Sequence, residues 1–355
     1  MKFKLGELFC GPGGIALGAK NAEFTYKSEK YSIEHTWASD YDLDTCKTYT
    51  RNICPNAPET VIYKDVRELD IDSLKKINCF AYGFPCNDFS VVGERQGING
   101  KFGPLYTYGI KIIEQFNPKF FLAENVGGIS SANSGDAFKI ILKALKNAGK
   151  GYSLTAHLYK SEQYGISQTR HRIVIVGIRK DLKLNFKVPA PTTPNENDYV
   201  PVQRVLEESP IPKNAINNEL TNQSKVVIER LKYIKPGENV WTASLPKHLE
   251  LNVKGARLSQ IYKRLDPNKP SYTITGSGGG GTHGYHWKYP RALTNRERAR
   301  IQTFPDDYIF MGSKESVRKQ IGMAVPPDLA KIIFEAILNT FAGKKYKHVR
   351  ASIDI

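Results

Sequence analysis

Short apolar runs separated by longer stretches of helical periodicity organise the first half of the chain. "KLGELFC" (4–10), "HTWAS" (35–39), "TVIYKDV" (60–66), "NCFAYGF" (78–84) and "KFFLAEN" (119–125) read as strands, brief and nearly continuous in apolar character. Helical spacing appears in "GIALGAKNA" (14–22), from Asp42 onward, in "LYTYGIKIIEQF" (105–116) and in "DAFKIILKALKNAG" (136–149). "YSLTAHLYK" (152–160) and "RIVIVGIRK" (172–180) close the series as two further strands. Apolar strands alternating with helices predict an α/β fold, with a parallel sheet covered on both faces. Ligands of such sheets sit beyond the carboxyl ends of the strands. Gly11, Asp40, Asp65, Cys86 and Glu124 all fall at such ends, and that coincidence says more than any one of them alone.

After Arg179 the texture changes. "KVPAPTTPNENDYVPVQ" (187–203) is rich in proline and polar residues and marks a domain boundary. From there to about residue 290 periodicity is weak, and the stretch holds "GSGGGGTHGYHW" (276–287). Helical signals return in "LTNRERARIQTF" (293–304) and again over 314–338.

Composition adds a sign to this outline. Across 355 residues, 51 Lys and Arg stand against 35 Asp and Glu, a formal charge of +16 that suits nucleic acid or an anionic membrane surface. No apolar run approaches the ~20 residues of a membrane span, and the N-terminal "MKFKLGELFC" has no export signal. Five cysteines (10, 46, 54, 79, 86) lie far apart without C-x-x-C. That spacing argues against a disulfide framework or zinc cluster, and for a reducing, cytoplasmic setting.

Five stretches carry candidate chemistry. Gly11-Pro12-Gly13-Gly14-Ile15-Ala16 fits G-x-G-x-x-A after a strand, with Asp40 ending the next strand. Glycines admit a nucleotide-like cofactor and an acid can hold its ribose, but the pattern separates neither a dinucleotide from S-adenosylmethionine nor either from an empty turn. Asp65 is a second strand-end acid, suited to an adenine amino group. Cys86 follows Pro85 and opens a stretch holding Gly93, Gly97, Gly100 and Gly103, which looks like a nucleophile beneath a lid; a buried small hydrophobe is the bland alternative. Glu124 is a candidate acid toward a ring nitrogen or a structural ion-pair partner. Gln168, Arg170 and Arg172 alternate into a strand and so would share one face, as a recognition surface or a solvated edge. The glycine run at 276–281 is either a linker or a backbone made for close approach to a large partner. His283 and His286 lack further ligands nearby, so no metal is expected there.

In this order, "FCGPGG", "FPCNDFS", "ENV", "QTRHR", "RALTNRERARIQTFPDDY" (291–308) and "QIGMAVPP" (320–327) resemble the C5-cytosine DNA methyltransferases of bacterial restriction–modification systems, over almost the whole chain. The resemblance implies a Rossmann-like, S-adenosylmethionine-dependent domain formed by 1–180 plus 314–355, and a smaller, mostly irregular or β target-recognition domain over 181–313. Its C-terminal helix, about 326–341, would pack back on the first domain. It implies Cys86 as nucleophile toward carbon 6 of a flipped cytosine, Pro85 fixing its turn, Glu124 on the N3 and N4 edge, Arg172 on O2, and Asn125 and Arg170 in support. The cofactor, leaving as S-adenosylhomocysteine with no metal involved, would meet Phe9, Gly11, Gly13, Asp40, Tyr41, Asp65, Val66, Leu105 and Val325. Double-stranded DNA would meet Ser90, Gln168, Thr273, Ile274, Gly278 and Gly279, with Lys254, Arg257, Lys263 and Arg264 on phosphates. A cognate endonuclease would share the target site. Two positions depart from the family: Asn87 replaces its usual glutamine, and Met323 its usual asparagine. A tRNA methyltransferase on the same fold, a nicotinamide-dependent oxidoreductase and a non-catalytic DNA-binding protein are the rival readings.

Overall fold

The computed structural model describes residues 1–84, 105–130, 136–252, 258–279 and 281–355. Two compact units emerge: Met1–Lys160, His171–Pro191 and Val325–Ile355 form the first, Ser161–Arg170 and Thr192–Ala324 the second. Residues 161–170 and 314–324 thus fall in the second unit and 181–191 in the first, where the sequence boundaries place them the other way round.

The first unit is built on β1 (Lys2–Leu8), α1 (Gly14–Asn21), β2 (Phe24–Tyr26), β3 (Glu29–Asp40), α2 (Leu43–Ile53), β4 (Val61–Tyr63), β5 (Cys79–Gly83), α3 (Tyr106–Phe116), β6 (Phe120–Val126), α4 (Asp136–Asn147) and β7 (Tyr152–Lys160). In chain order β8 (Gln168–Thr169), of the second unit, then precedes β9 (His171–Arg179) and β10 (Val188–Pro189). Its sheet runs β2-β3-β1-β5-β6-β9-β7, with β4 paired to β3. β3, β1, β5, β6 and β4 are parallel, as the alternating pattern predicts. β9 instead runs antiparallel to both β6 and β7. The cause is the short return from Lys160 to His171, since a parallel crossover needs a dozen or more residues and usually a helix. The sheet is therefore mixed, a correction to the all-parallel expectation. Buried on it are Phe80, Tyr82, Phe121, Ile112, Ile113, Ile141 and Tyr152, the apolar faces of β5, β6, α3, α4 and β7.

In the second unit, α5 (Val202–Glu207), α6 (Lys225–Tyr233), β11 (Ser271–Tyr272), α7 (Asn295–Ile301) and α8 (Lys314–Met323) are joined by long irregular stretches. β8 pairs with β11, and a small core gathers Leu231, Ile234, Val240, Ile261, Tyr262 and Tyr285. Regular hydrogen bonding is sparse there, and buried arginines replace it. Arg264 is 7% exposed and donates to four carbonyls, of His286, Leu231, Ile234 and Trp287. Arg296 does the same for Ile216, Pro305 and Tyr308. The chain then returns to the first unit through α9 (Pro327–Ala342) and β12 (His348–Val349), which pairs with β10. α9 lies against α1 so closely that a Cβ on Gly18 would stand 2.5 Å from the Ala330 Cβ.

Candidate active site

The turn after β1 is shaped for close approach. Phe9, Gly11 and Gly13 take φ of 52°, 55° and 95°, and a Cβ at Gly11 would meet nothing within 4 Å. Gly11 and Gly13 adopt such angles without strain, and beside Gly11 the turn leaves open space. Asp40, at the end of the neighbouring β3, accepts from the Gly11 N–H at 3.0 Å with one oxygen and from Asp42 N–H at 3.0 Å with the other. Burial raises the Asp40 carboxyl above its usual range, and those two N–H donors oppose the rise. Tyr41 beside it is exposed.

Asp65 caps the short helix that begins at Val66, itself buried. Its carboxylate takes the Arg67 backbone N–H at 2.9 Å, Arg67 Nε at 2.9 Å and Arg67 Nη2. Bonding from Arg67 holds Asp65 down at about 2. Of roughly four lone-pair positions on a carboxylate, three are taken. Leu105 packs against the sheet core, and Val325 is buried in the same unit.

Beyond β5 and β6 stands the second group. Gly83 of β5 is paired with Glu124 of β6, and its missing side chain lets the Glu124 Oε2 lie 3.1 Å from where a Cβ would be. Arg172, two positions along in the β6–β9 register, brings its Nε to 2.9 Å from Glu124 Oε1. Both side chains are about seven-eighths buried, at 14% and 13% exposure. Asn125, pointing to the other face, donates from Nδ2 to the Phe84 carbonyl at 3.0 Å. It thereby fixes the backbone immediately ahead of Pro85 and Cys86. Pro85, Cys86, Ser90, Lys254 and Arg257 lie outside the described residues. The other four cysteines are buried free thiols.

The remaining expectations divide. Gln168 and Arg170 do not join Arg172 on one partner. Gln168 is fully buried, accepting from Ile274 N–H at 2.8 Å and donating to Gln302 Oε1 at 2.8 Å. Arg170 donates to the Ile274 carbonyl at 3.1 Å, and the Thr273 hydroxyl donates to the Thr169 carbonyl. These residues shape the Thr273–Ile274 turn from inside. Gly278 and Gly279 lie on an exposed loop. Arg264 cannot meet a phosphate, because its donors are consumed by the carbonyls named above; Lys263 remains over the Tyr272 ring at 5.0 Å.

One buried group escaped the sequence reading. Glu7 is fully buried on β1, accepts from the Tyr49 hydroxyl at 3.1 Å, and has an Oε1 without a partner among the described residues. Burial, with Asp40 nearby, pushes its carboxyl up to about 8. The visible signal was a glutamate at an inward position of an apolar run.

Comparison with known proteins places this geometry. Residues 3–339 match the C-5 cytosine-specific DNA methylase family. The chain is 57% identical to the type II methyltransferase M.BbvI of Brevibacillus brevis, over all of this chain and 96% of that one. It is 38% identical to the type II methyltransferase M.NgoFVII of Neisseria gonorrhoeae, over 98% and 89% of the two chains. Among solved structures, the Entamoeba histolytica methyltransferase EhMeth aligns with a TM-score of 0.66 at 14% identity, covering 97% of this chain and all of that one. S. pombe Dnmt2 methyltransferase aligns at 0.61 and 15%, covering 96% and 99%. At those identities the structures show the shared fold. The chain belongs to the C-5 cytosine-specific DNA methylase family, and is a DNA (cytosine-5-)-methyltransferase whose family implies use of S-adenosylmethionine.

Proposed function

We propose that this enzyme methylates a cytosine flipped out of a specific duplex DNA site, through a covalent bond between Cys86 and carbon 6, within a type II restriction–modification system. The Glu124–Arg172 pair carries the reading: an acid and a guanidinium, each about seven-eighths buried and 2.9 Å apart, near the end of β6 and the start of β9. Carbon 5 of cytosine is a poor nucleophile. Attack of the thiolate at carbon 6 turns the ring into an enamine, with Glu124 donating toward N3 as charge builds there and Arg172 holding the O2 edge. Asn125 positions the nucleophile's chain through Phe84. Once carbon 5 has taken the methyl group through its enamine electron pair, loss of its proton and departure of the thiol release 5-methylcytosine. A base in a duplex is out of reach of such a site, so flipping costs a few kcal/mol.

The residues around the first turn suit S-adenosylmethionine, which supplies an electrophilic methyl group when bound. Gly11 and Gly13 leave room for its methionine part, and Asp40 accepts from its ribose. Phe9 would stack near its adenine, Tyr41 would stand beside its ribose, Asp65 and Val66 would bind the adenine edge, and Leu105 and Val325 would line the pocket. The second unit would select the target sequence, with Thr273, Ile274 and the glycine loop toward DNA and Gln168 supporting the turn. A cytoplasmic setting and an endonuclease of the same specificity complete the proposal.

Tritiated S-adenosylmethionine with duplex DNA containing 5-fluorocytosine tests it. Fluorine cannot leave as a proton does, so a labelled protein–DNA band should persist on a denaturing gel and vanish in Cys86→Ala. Glu124→Gln should slow transfer strongly while keeping cofactor affinity. Turnover retained by Cys86→Ala would defeat the mechanism.

A further inference from the structure

We propose that Arg298 and Arg318 form a phosphate-binding pair beneath the exposed loop 276–279, and that its occupant is a backbone phosphate of the DNA. The inference rests on the reading that this unit faces DNA. Arg318, on α8, is only 8% exposed. Its guanidinium lies directly under Gly278, where a Cβ would stand 2.1 Å from both Cζ and Nε. The Arg318 Nε is buried with no hydrogen-bond partner among the described residues. Arg298, on α7 and 3% exposed, donates to Asn295 Oδ1 at 3.1 Å and to the His283 carbonyl, both neutral oxygens. His283 Nδ1 is a further buried atom without a partner among the described residues.

No carboxylate is bonded to either guanidinium among the described residues. Glu297, the nearest along α7, is committed to Arg291 through bonds of 2.8 and 2.7 Å and to the Thr294 N–H at 2.8 Å. Glu315 is exposed on the first turn of α8. Burial, and then the neighbouring Arg318 charge, pull the Arg298 guanidinium down to about 10. Two buried cations on adjoining helices, with no carboxylate bonded to either among the described residues, are costly, and a fold keeps them where an anion completes the set. Arg264 and Arg296, also buried in this unit, are instead satisfied by carbonyls. A guanidinium fork matches phosphate in two parallel bonds. Above the pair, Gly276, Ser277 and Gly278 place nothing bulkier than a hydroxymethyl group. Gly279, with φ of 129°, would carry a Cβ into open space. A chain of net charge +16 makes a polyanion the source of that phosphate rather than a free anion.

The test measures duplex DNA affinity against salt for the wild type, Arg318→Gln and Arg318→Lys, with unfolding and S-adenosylhomocysteine binding recorded for each. Loss of one phosphate contact should lower the slope of log K against log salt by about 0.9. Affinity should fall roughly ten-fold for all sequences alike, and lysine should restore most of the slope. A folded Arg318→Gln with unchanged slope overturns the proposal. If that variant does not fold, Gly278→Ala displaces the guanidinium and should lower the slope, and an unchanged slope there also overturns it. Inorganic phosphate competing at fixed ionic strength, with DNA slopes unaffected by the substitutions, would mark a free-anion site and refute the DNA assignment. Wild-type protein that binds and methylates no DNA would instead defeat the functional reading above.

Discussion

Glu7→Gln is the sharpest probe of the first turn's electrostatics. Glu7 sits fully buried behind that turn, with Tyr49 donating to one oxygen and Asp40 and Cys10 as further titratable neighbours. An unfolded glutamate ionises near 4.5, whereas burial lifts this one to about 8. Between those values the folded state binds a proton that the unfolded chain has released. Stability from this group is therefore complete below about 4.5 and is lost as pH rises through 8. At about 1.4 kcal/mol per unit, the span has an upper bound on the order of 5 kcal/mol, which rearrangement around an ionised Glu7 reduces. Glutamine keeps the shape and cannot ionise. Urea unfolding at pH 5, 7 and 9 should show Glu7→Gln gaining on the wild type by about 2 kcal/mol or more between the ends of the series. Parallel curves across that range would refute a neutral buried Glu7, and with it the account of charge behind the glycine turn.

Two further outcomes test the packing. Arg264→Ala should destabilise the protein by about 3 kcal/mol, because it strands the buried carbonyls of Leu231, Ile234, His286 and Trp287, a loss read by denaturant midpoint. Lysine at 264 should recover only part of this, since three rotatable donors cannot reproduce the planar fork. Gly18→Ala sets two effects against each other: helix propensity favours alanine by up to about 1 kcal/mol. The new Cβ, 2.5 Å from the Ala330 Cβ and 2.6 Å from the Pro327 carbonyl, meets rigid atoms on α9 and costs about 1–3 kcal/mol. A thermal midpoint below the wild type's is expected.

The sequence made the strand ends legible because apolar runs report burial directly, and β1, β3, β5 and β6 lie where their runs do. Periodicity carries no direction, however, so the reversal of β9 was invisible in it. Its cue was length alone, since ten residues between Lys160 and His171 are too few for a helical crossover. Charge was the weaker guide. "RERAR" is a charge-rich run on α7, yet Arg296 is buried, because in a unit poor in ladders it serves as a cross-link between distant carbonyls. Such partners lie 80 residues away, as Ile216 does from Arg296, and no local pattern announces them.

The alternation of Gln168, Arg170 and Arg172 shows where pattern reasoning breaks. It assumes one continuous strand, and the chain divides instead into β8 and β9 with Arg170 between them. Arg172 keeps strand geometry and its diagonal neighbour Glu124. Gln168 and Arg170 bond the backbone of Ile274 from both sides, N–H and carbonyl. That arrangement gives the two polar heads a task that alternation does not announce: they fix the backbone at Ile274 from inside the unit. Two adjacent segments can thus carry alternating polar residues for different ends, and only the partners of each side chain distinguish positioning from contact.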